Sequence, residues 1–182
     1  MGAGSRLLPA EEYSFIRARV PILCVDVLLS PKNDPRHVGL IRRTTYDGGE
    51  GWCLVGGRVL RNERLNDAVN RHVLATLGKR IAIDRSTLKV GTIAEYFSEP
   101  LEGELYDPRK HAVSITYTAL CDGGVEALGE ALRFRWFDIS EVPEVDFGFG
   151  QGEVVSRLLE ITANEVALRR RLDRRPGTRT GS

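Results

Sequence analysis

The sequence is poor in cysteine, methionine and tryptophan, with three, one and two residues of these types. The cysteines are odd in number and none of their spacings matches a metal-binding motif, which argues against a disulfide framework and a thiolate metal centre. Each cysteine lies in an apolar segment typical of a β-strand: Cys24, Cys53 and Cys121. We therefore predict three buried thiols, with a reactive thiol as the alternative.

The chain also lacks a charge excess and a long apolar run. Its 26 lysine and arginine residues face 25 aspartate and glutamate residues, so attraction of the whole chain to nucleic acid or to a membrane is not expected. No apolar run approaches the roughly 20 residues of a membrane span. The first residues, MGAGSRLLPAEE, contain no apolar stretch of a signal peptide. These absences predict a cytoplasmic protein with no membrane partner.

The length of 182 residues favours one compact domain. We predict a flexible lead over residues 1–9, a domain over residues 10–172 and a basic tail over residues 173–182. The basic end of the chain, RRRLDRRPGTRTGS, is interpreted as solvated. Contact of this tail with an anion or with RNA is the alternative.

Hydrophobic periodicity predicts several strands around one central helix. The predicted strands are 22–30, 38–43, 52–55, 89–97, 112–121 and 134–137. Helices are predicted after Pro9, from an N-cap at Asn62 to Gly78, and over about 152–172. This order predicts an α/β (α+β) fold, in which a mixed sheet lies between helices in a single domain.

The most informative stretch is GWCLVGGRVLRNERLNDAVNRHVLATLG, residues 51–78. Glycines in a strand-to-helix loop let backbone groups approach a phosphate, and Arg58 and Arg61 add guanidinium groups suited to phosphate oxygens. Three charged residues spaced four apart predict a polar stripe on the helix, with a solvated salt-bridge ladder as the alternative reading: Glu63, Asp67 and Arg71.

This stretch resembles the Nudix box, G-x5-E-x7-R-E-U-x-E-E-x-G-U, in which U is an aliphatic residue. The fixed glycine, glutamate, arginine and glycine positions hold Gly57, Glu63, Arg71 and Gly78. The three helical glutamates, which normally hold a divalent metal, are replaced by His72, Ala75 and Thr76. A neutral His72 could ligate a metal or be a core histidine, but alanine and threonine cannot replace carboxylates for a hard cation. The resemblance implies a Nudix-type sandwich.

A closer resemblance, from Pro21 to about Ser140, is to the GDP-mannose mannosyl hydrolase branch of the Nudix hydrolases. It rests on the GGRV and A-x-L-G segments of the box and on matches outside it: Asp26, Arg43, His111 and the pair Arg135-Trp136. The resemblance implies a hydrolase of a nucleotide sugar, similar to GDP-mannose. It also implies attack on the sugar carbon, release of a nucleoside diphosphate, and a homodimer.

The resemblance further implies roles for particular residues. The diphosphate would be bound by three arginines: Arg43, Arg58 and Arg71. Glu63 would brace the loop and the helix. Arg42 and Arg43 are neighbours on a strand and face opposite sides, so only one can enter the site, and the resemblance selects Arg43. Asp26 and His111 would contact the substrate, although Asp26 could equally have a structural partner and His111 could be a solvated strand-edge histidine.

A weakly held Mg²⁺ or Mn²⁺ is expected near the carbonyl of Gly56 or Gly57 and the carboxylate of Glu130. Counting back from Arg135-Trp136, Glu130 lies at the family's glutamine ligand and an alanine at its histidine base. The candidate bases are therefore Glu130, His111 and Asp26, in that order. Two other functions stay open: a catalytically inactive module that binds a nucleotide or nucleotide sugar, and a protein that contacts RNA through its basic tail.

Overall fold

The structure is a computed structural model that describes residues 7–173, with side chains described as far as residue 164. Over this range the chain forms three α-helices, which are α1 (Ala10–Arg17), α2 (Leu65–Leu77) and α3 (Gln151–Asp173). A 3₁₀-helix spans Ile139–Glu144. The strands are β1 (Ile22–Pro31), β2 (His37–Thr44), β3 (Glu50–Cys53), β4 (Val55–Arg58), β5 (Ile81–Ile83), β6 (Lys89–Phe97), β7 (Leu105–Tyr106), β8 (Ala112–Gly123) and β9 (Arg133–Asp138).

β1 lies at the centre of a mixed sheet whose main order is β3-β2-β1-β8-β6-β7. β4, β5 and β9 pair with β1, β8 and β2 respectively. β1 runs parallel to β8 and antiparallel to β4, with Asp26 opposite Thr116 on one side and Gly56 on the other. This register places a carboxyl group at the middle of the sheet, between two neighbouring strands.

Each face of the sheet packs against a helix. Alternate residues of β1 point to opposite faces, so Val25 and Val27 pack with α2, whereas Cys24 and Leu28 pack with α3. Burial of each large apolar side chain stabilises the fold by about 1.5–3 kcal/mol. The predicted sandwich, with a mixed sheet between helices, is confirmed. Asp26 shares the face of Cys24 and Leu28, so it lies on the side of α3.

Two element boundaries differ from the prediction. α2 begins at Leu65, not after Asn62, which instead has a left-handed backbone with φ of 63° and lies in the preceding turn. The predicted strand at residues 52–55 is two strands, because the backbone N–H of Leu54 donates to the side chain of Gln151 at 2.7 Å. The short strands β5 and β7 were not predicted, since they hold only three and two residues.

The three cysteines are buried and free, as predicted. Burial raises the pKa of Cys24 to about 11, of Cys53 to about 12 and of Cys121 to about 11. These thiols therefore stay protonated and unreactive near neutral pH.

Within residues 7–173, no helix is both long and apolar enough to cross a membrane. Most of the predicted lead and tail, residues 1–6 and 174–182, lies outside the described residues.

Candidate functional site

A cleft opens on the α3 face of the sheet, with about 520 Å³ of free space open to solvent. Its floor is formed by β1, β4, β6 and β8, and its walls by β2, the loop before β8 and the segment that leads into α3. Its charged lining residues have both signs: Asp26, Arg43, Asp107, Arg109 and Lys110.

The carboxyl group of Asp26 lies in the floor of this cleft. Ser114 donates a hydrogen bond from its hydroxyl to Oδ2 of Asp26. On the other side Gly56 approaches so closely that a Cβ there would lie 2.2 Å from Oδ1, so only glycine fits. Burial raises the pKa of Asp26 to about 6, although Ser114, Lys110 and Arg43 oppose the rise. A carboxyl group with such a pKa can take up a proton near neutral pH.

Arg43 enters the cleft from β2, and its neighbour Arg42 does not. Nη2 of Arg43 lies 2.7 Å from Oε2 of Glu130, at the cleft edge. Nε of Arg43 is buried and has no hydrogen-bond partner within residues 7–164. Arg42 donates from Nε to Glu50 at 2.8 Å, on the opposite face of the strand. The buried unpaired donor of Arg43 is a free site for an acceptor atom of a ligand.

A second arginine was missed by the sequence analysis. Arg109 lies in the loop before β8 and donates from Nε and Nη2 to the carboxylate of Asp107, at 2.8 and 2.7 Å. Burial alone would raise the pKa of Asp107, but the hydrogen bonds from Arg109 outweigh it and hold that pKa below the usual value. The sequence signal was the run DPRK inside a long polar loop, which carries no helical or strand periodicity.

Phe149 was also missed, and both cleft arginines contact it. The guanidinium carbon of Arg43 lies 5.2 Å from the centroid of the ring, and that of Arg109 lies 4.7 Å from it. Both distances are within the range of cation–π contacts. Phe149 has a left-handed backbone with φ of 56°, which is rare for a bulky residue.

Within the box, Glu63 and Arg71 form a local brace and not a polar stripe along α2. Arg71 donates to both carboxylate oxygens of Glu63 and to the carbonyl oxygen of Arg58. Glu63 precedes the helix, and Asp67 instead lies 3.5 Å from Arg85. The guanidinium of Arg71 pairs with Glu63 and does not line the cleft, so the structure does not bring Arg71 together with Arg43. The bracing role predicted for Glu63 agrees with these contacts.

The box positions that hold metal in Nudix enzymes do not form a ligand set here. His72 places Nε2 3.0 Å from the carbonyl oxygen of Arg58, and its ring lies where a Cβ on Gly57 would be. Burial lowers the pKa of His72, so the neutral ring donates to that carbonyl. Ala75 and Thr76 offer no carboxylate. No group of three His, Cys, Asp or Glu residues within the described chain could hold a metal ion.

Of the remaining predicted metal ligands, Gly56 and Gly57 line the cleft, whereas Glu130 is paired with Arg43. These residues do not fit the family's metal site.

His111 and Arg58 lie beside the cleft and not in its lining. Nε2 of His111 is 2.9 Å from Oε1 of Glu95, and its ring stacks on Phe97. Ala112 and Ser114 of β8 face the cleft, so by alternation His111, which precedes Ala112, faces the other side, and the structure does not bring it together with Asp26. The guanidinium carbon of Arg58 lies 4.0 Å from the ring centroid of Tyr13, so α1 covers it.

Comparison with known proteins identifies the family. Residues 4–163 match the model of a family described as a domain of unknown function, DUF4916. The low-salt glycan biosynthesis protein Agl8 of Haloferax volcanii is 29% identical over 135 residues, which are 72% of this chain and 80% of that protein.

Solved structures show the same fold. A possible asymmetric diadenosine tetraphosphate hydrolase from Jonesia denitrificans is 30% identical, with a TM-score of 0.71 over 80% of this chain and 96% of that chain. The Nudix domain of NrtR from Shewanella oneidensis, solved with ADP-ribose, is 20% identical with a TM-score of 0.61, over 84% of this chain and 98% of that chain. The chain therefore belongs to the DUF4916 family and has a Nudix hydrolase fold whose box lacks the helical carboxylates.

Proposed function

We propose that the cleft binds a nucleoside diphosphate linked to a sugar and hydrolyses it to a nucleoside diphosphate and a free sugar. One observation carries the proposal. A carboxyl group with a pKa of about 6, Asp26, and a guanidinium with a buried unpaired donor, Arg43, line the same cleft. The first suits a general base and the second suits an anionic leaving group.

The proposed reaction is attack of water on the sugar carbon. Asp26 takes a proton from the water, the water oxygen bonds to the carbon, and the bond from that carbon to the diphosphate oxygen breaks. The diphosphate leaves with the electron pair of that bond. Ser114 orients Asp26, and Arg43 stabilises the negative charge of the leaving group. Glu130 positions Arg43 in this scheme, so Asp26 replaces it as the favoured base.

Attack on phosphorus is less well supported by these residues. Nudix enzymes that attack phosphorus rely on metals held by helical carboxylates, which neutralise the charge that develops on phosphorus. His72, Ala75 and Thr76 do not supply those carboxylates. Attack on carbon needs an activated water and cations at the leaving group, and the cleft offers Asp26 and Arg43 for these tasks.

Two relatives each support one part of the proposed ligand, the sugar or the linked phosphates. Agl8 is named for glycan biosynthesis, which is compatible with a substrate that carries a sugar. The protein from Jonesia denitrificans is a possible asymmetric diadenosine tetraphosphate hydrolase, and that substrate has several adjacent phosphates. A chain of linked phosphates is a ligand for which arginines are suited. The particular base and sugar, a requirement for Mg²⁺ or Mn²⁺ and the homodimer stay predictions.

A second candidate function is a binding module that does not turn its ligand over. The observation that favours it is the box itself, whose helix carries no carboxylate at the three metal positions. Such a module would keep the cleft and the arginines but would not use Asp26 as a base. The hydrolase and the binding module differ in whether they turn the ligand over and not in their affinity for it.

The deciding experiment is a product analysis over a panel of nucleotide sugars, ADP-ribose and diadenosine tetraphosphate, in ¹⁸O-labelled water. We expect a nucleoside diphosphate and a sugar that carries the label, with activity that falls on acidification with a midpoint near the pKa of about 6 of Asp26. Asp26→Asn should abolish turnover and keep ligand binding. Label on a phosphate would restore attack on phosphorus, and binding without turnover on the whole panel would favour the binding module.

A further inference from the structure

The backbone of Phe149 has a left-handed conformation that requires a structural explanation. A bulky residue in the left-handed region is strained and persists only where its surroundings hold it. Here the preceding Gly148 packs against Gly51 so tightly that a Cβ on Gly51 would lie 2.4 Å from the backbone nitrogen of Gly148. Gln151 then starts α3 and fixes the segment to Leu54 through its side chain. The chain is therefore held on both sides of Phe149.

The consequence of this conformation is the position of the aromatic ring. The ring lies in the cleft lining, where it contacts the guanidinium groups of Arg43 and Arg109. Two like charges against one ring repel each other, so each needs a compensating partner. Glu130 supplies it for Arg43 and Asp107 for Arg109, at 2.7 Å in both cases.

The two carboxylates hold the arginines in place. A phosphate can accept hydrogen bonds from one guanidinium, and two linked phosphates can engage two of them. Arg43 brings a buried donor that is already free of protein partners. Arg109 lies outside the Nudix box, in the loop before β8, and contacts the same ring as Arg43.

We infer that Arg109, held by Phe149 and Asp107, binds the second phosphate of a diphosphate whose first phosphate lies on Arg43. This inference rests on the proposed function, because it names the part of the substrate that the cleft grips. Arg109 is then a binding residue and Phe149 a positioning residue, since Phe149 acts on the phosphates only through the two arginines.

The rival explanation is that Arg109 only pins its own loop. Its two hydrogen bonds to Asp107 close a short turn, and many such pairs have no other role. A loop-pinning residue would affect stability but would not distinguish one phosphate from two. The test therefore compares inorganic phosphate with inorganic pyrophosphate, which differ in the number of phosphates and contain neither base nor sugar.

Calorimetric titration of the full chain with both anions tests the inference. We expect the parent to prefer pyrophosphate, and Arg109→Gln to weaken pyrophosphate binding by about tenfold or more, as for loss of a charge-assisted hydrogen bond. Phosphate binding should change by less than about threefold, because Arg43 keeps the first site. Arg109→Lys keeps the positive charge and should lose less pyrophosphate affinity than Arg109→Gln.

Two further sets of variants separate positioning from folding. Phe149→Leu should weaken pyrophosphate binding. Phe149→Tyr keeps the aromatic ring and should bind pyrophosphate about as tightly as the parent. Arg135→Gln is the matched control, because Arg135 also lies over a ring, that of Phe137, and pairs with a carboxylate, that of Glu141, but outside the cleft lining. It should bind both anions as the parent does. Melting temperatures confirm that each variant is folded.

The outcomes distinguish this inference from the proposed function. Equal pyrophosphate affinity in Arg109→Gln and the parent overturns the inference alone, whether or not nucleotide sugars are hydrolysed. Dependence on Arg109 without turnover of any nucleotide sugar supports the inference and removes the hydrolase function. A folded parent that binds neither anion overturns the inference, while its turnover assay still decides the proposed function separately.

Discussion

The carboxylate of Glu63 accepts two hydrogen bonds from the guanidinium of Arg71, at 2.6 Å from Nε and 2.8 Å from Nη2. The same carboxylate accepts the backbone N–H of Leu60, and Nη2 of Arg71 also donates to the carbonyl oxygen of Arg58. The hydrogen bonds from Arg71 hold the pKa of Glu63 below its usual value. Two fixed residues of the Nudix box therefore tie the loop to α2.

Removal of this brace should destabilise the fold. Arg71→Ala leaves the half-buried carboxylate of Glu63 without its cation, and we expect the free energy of unfolding to fall by about 1.5–3 kcal/mol. Arg85→Ala is the control, since Arg85 is exposed and reaches Asp67 only at 3.5 Å, and it should change stability by less than about 0.5 kcal/mol. Urea unfolding at pH 7 measures both. Equal stability of the two variants would show that the brace contributes nothing.

The raised pKa of Asp26 predicts a pH-dependent stability difference. Between about pH 4 and about pH 6 the folded chain keeps a proton on Asp26 that the unfolded chain has released, so this group stabilises the fold less as pH rises. Asp26→Asn removes that dependence. The variant should gain stability over the parent as pH rises through this window, by up to roughly 3 kcal/mol at pH 7, because burial raises the pKa of Asp26 to about 6. Thermal unfolding at several pH values measures the gain, and a constant difference would contradict the raised pKa.

Tyr13 contacts Arg58, and we predict that this contact holds α1 against the rest of the domain. Tyr13 lies over the guanidinium of Arg58 and packs at the edge of the core under α3. Such a contact is worth about 0.5–1 kcal/mol at a partly exposed site. Tyr13→Ala and Arg58→Ala should both speed amide hydrogen exchange in α1, with exchange in β1 unchanged. Phe15→Ala is the matched control, because Phe15 is exposed and contacts Arg19 beside the same helix, so it should leave exchange unchanged.

The absence of box carboxylates predicts weak metal binding by the free protein. Mg²⁺ requires oxygen ligands in near-octahedral geometry, and Ala75 and Thr76 supply no carboxylate. Calorimetric titration of chelator-treated protein should show no binding tighter than about 1 mM. Binding in the micromolar range would mean that Glu130 leaves Arg43 and joins a ligand set. Repetition with Glu130→Gln would then identify the ligand, because that variant should lose the binding.

Much of the fold could be predicted from the sequence, because its signals are local. Apolar alternation and helical periodicity depend only on neighbouring residues, and β6 and the main helices were predicted within a few residues of their positions. The Nudix resemblance also followed from spacing, since Gly57, Glu63 and Arg71 act within one loop and one helix. Alternation along β2 separated Arg42 from Arg43 before any tertiary contact was known.

Tertiary structure decided which charged groups share the cleft. Asp26 and Ser114 are 88 residues apart in sequence and meet only because β1 pairs with β8. Phe149 and Arg109 lie on different loops, and neither has a periodic signal.

The burial that raises the pKa of Asp26 comes from the surrounding strands, and the same strand pairing turns His111 away from the cleft. Sequence spacing shows which residues share a face of one helix or strand. The sharing of partners between distant elements depends on packing, so the pairing of Arg43 with Glu130 required the folded chain.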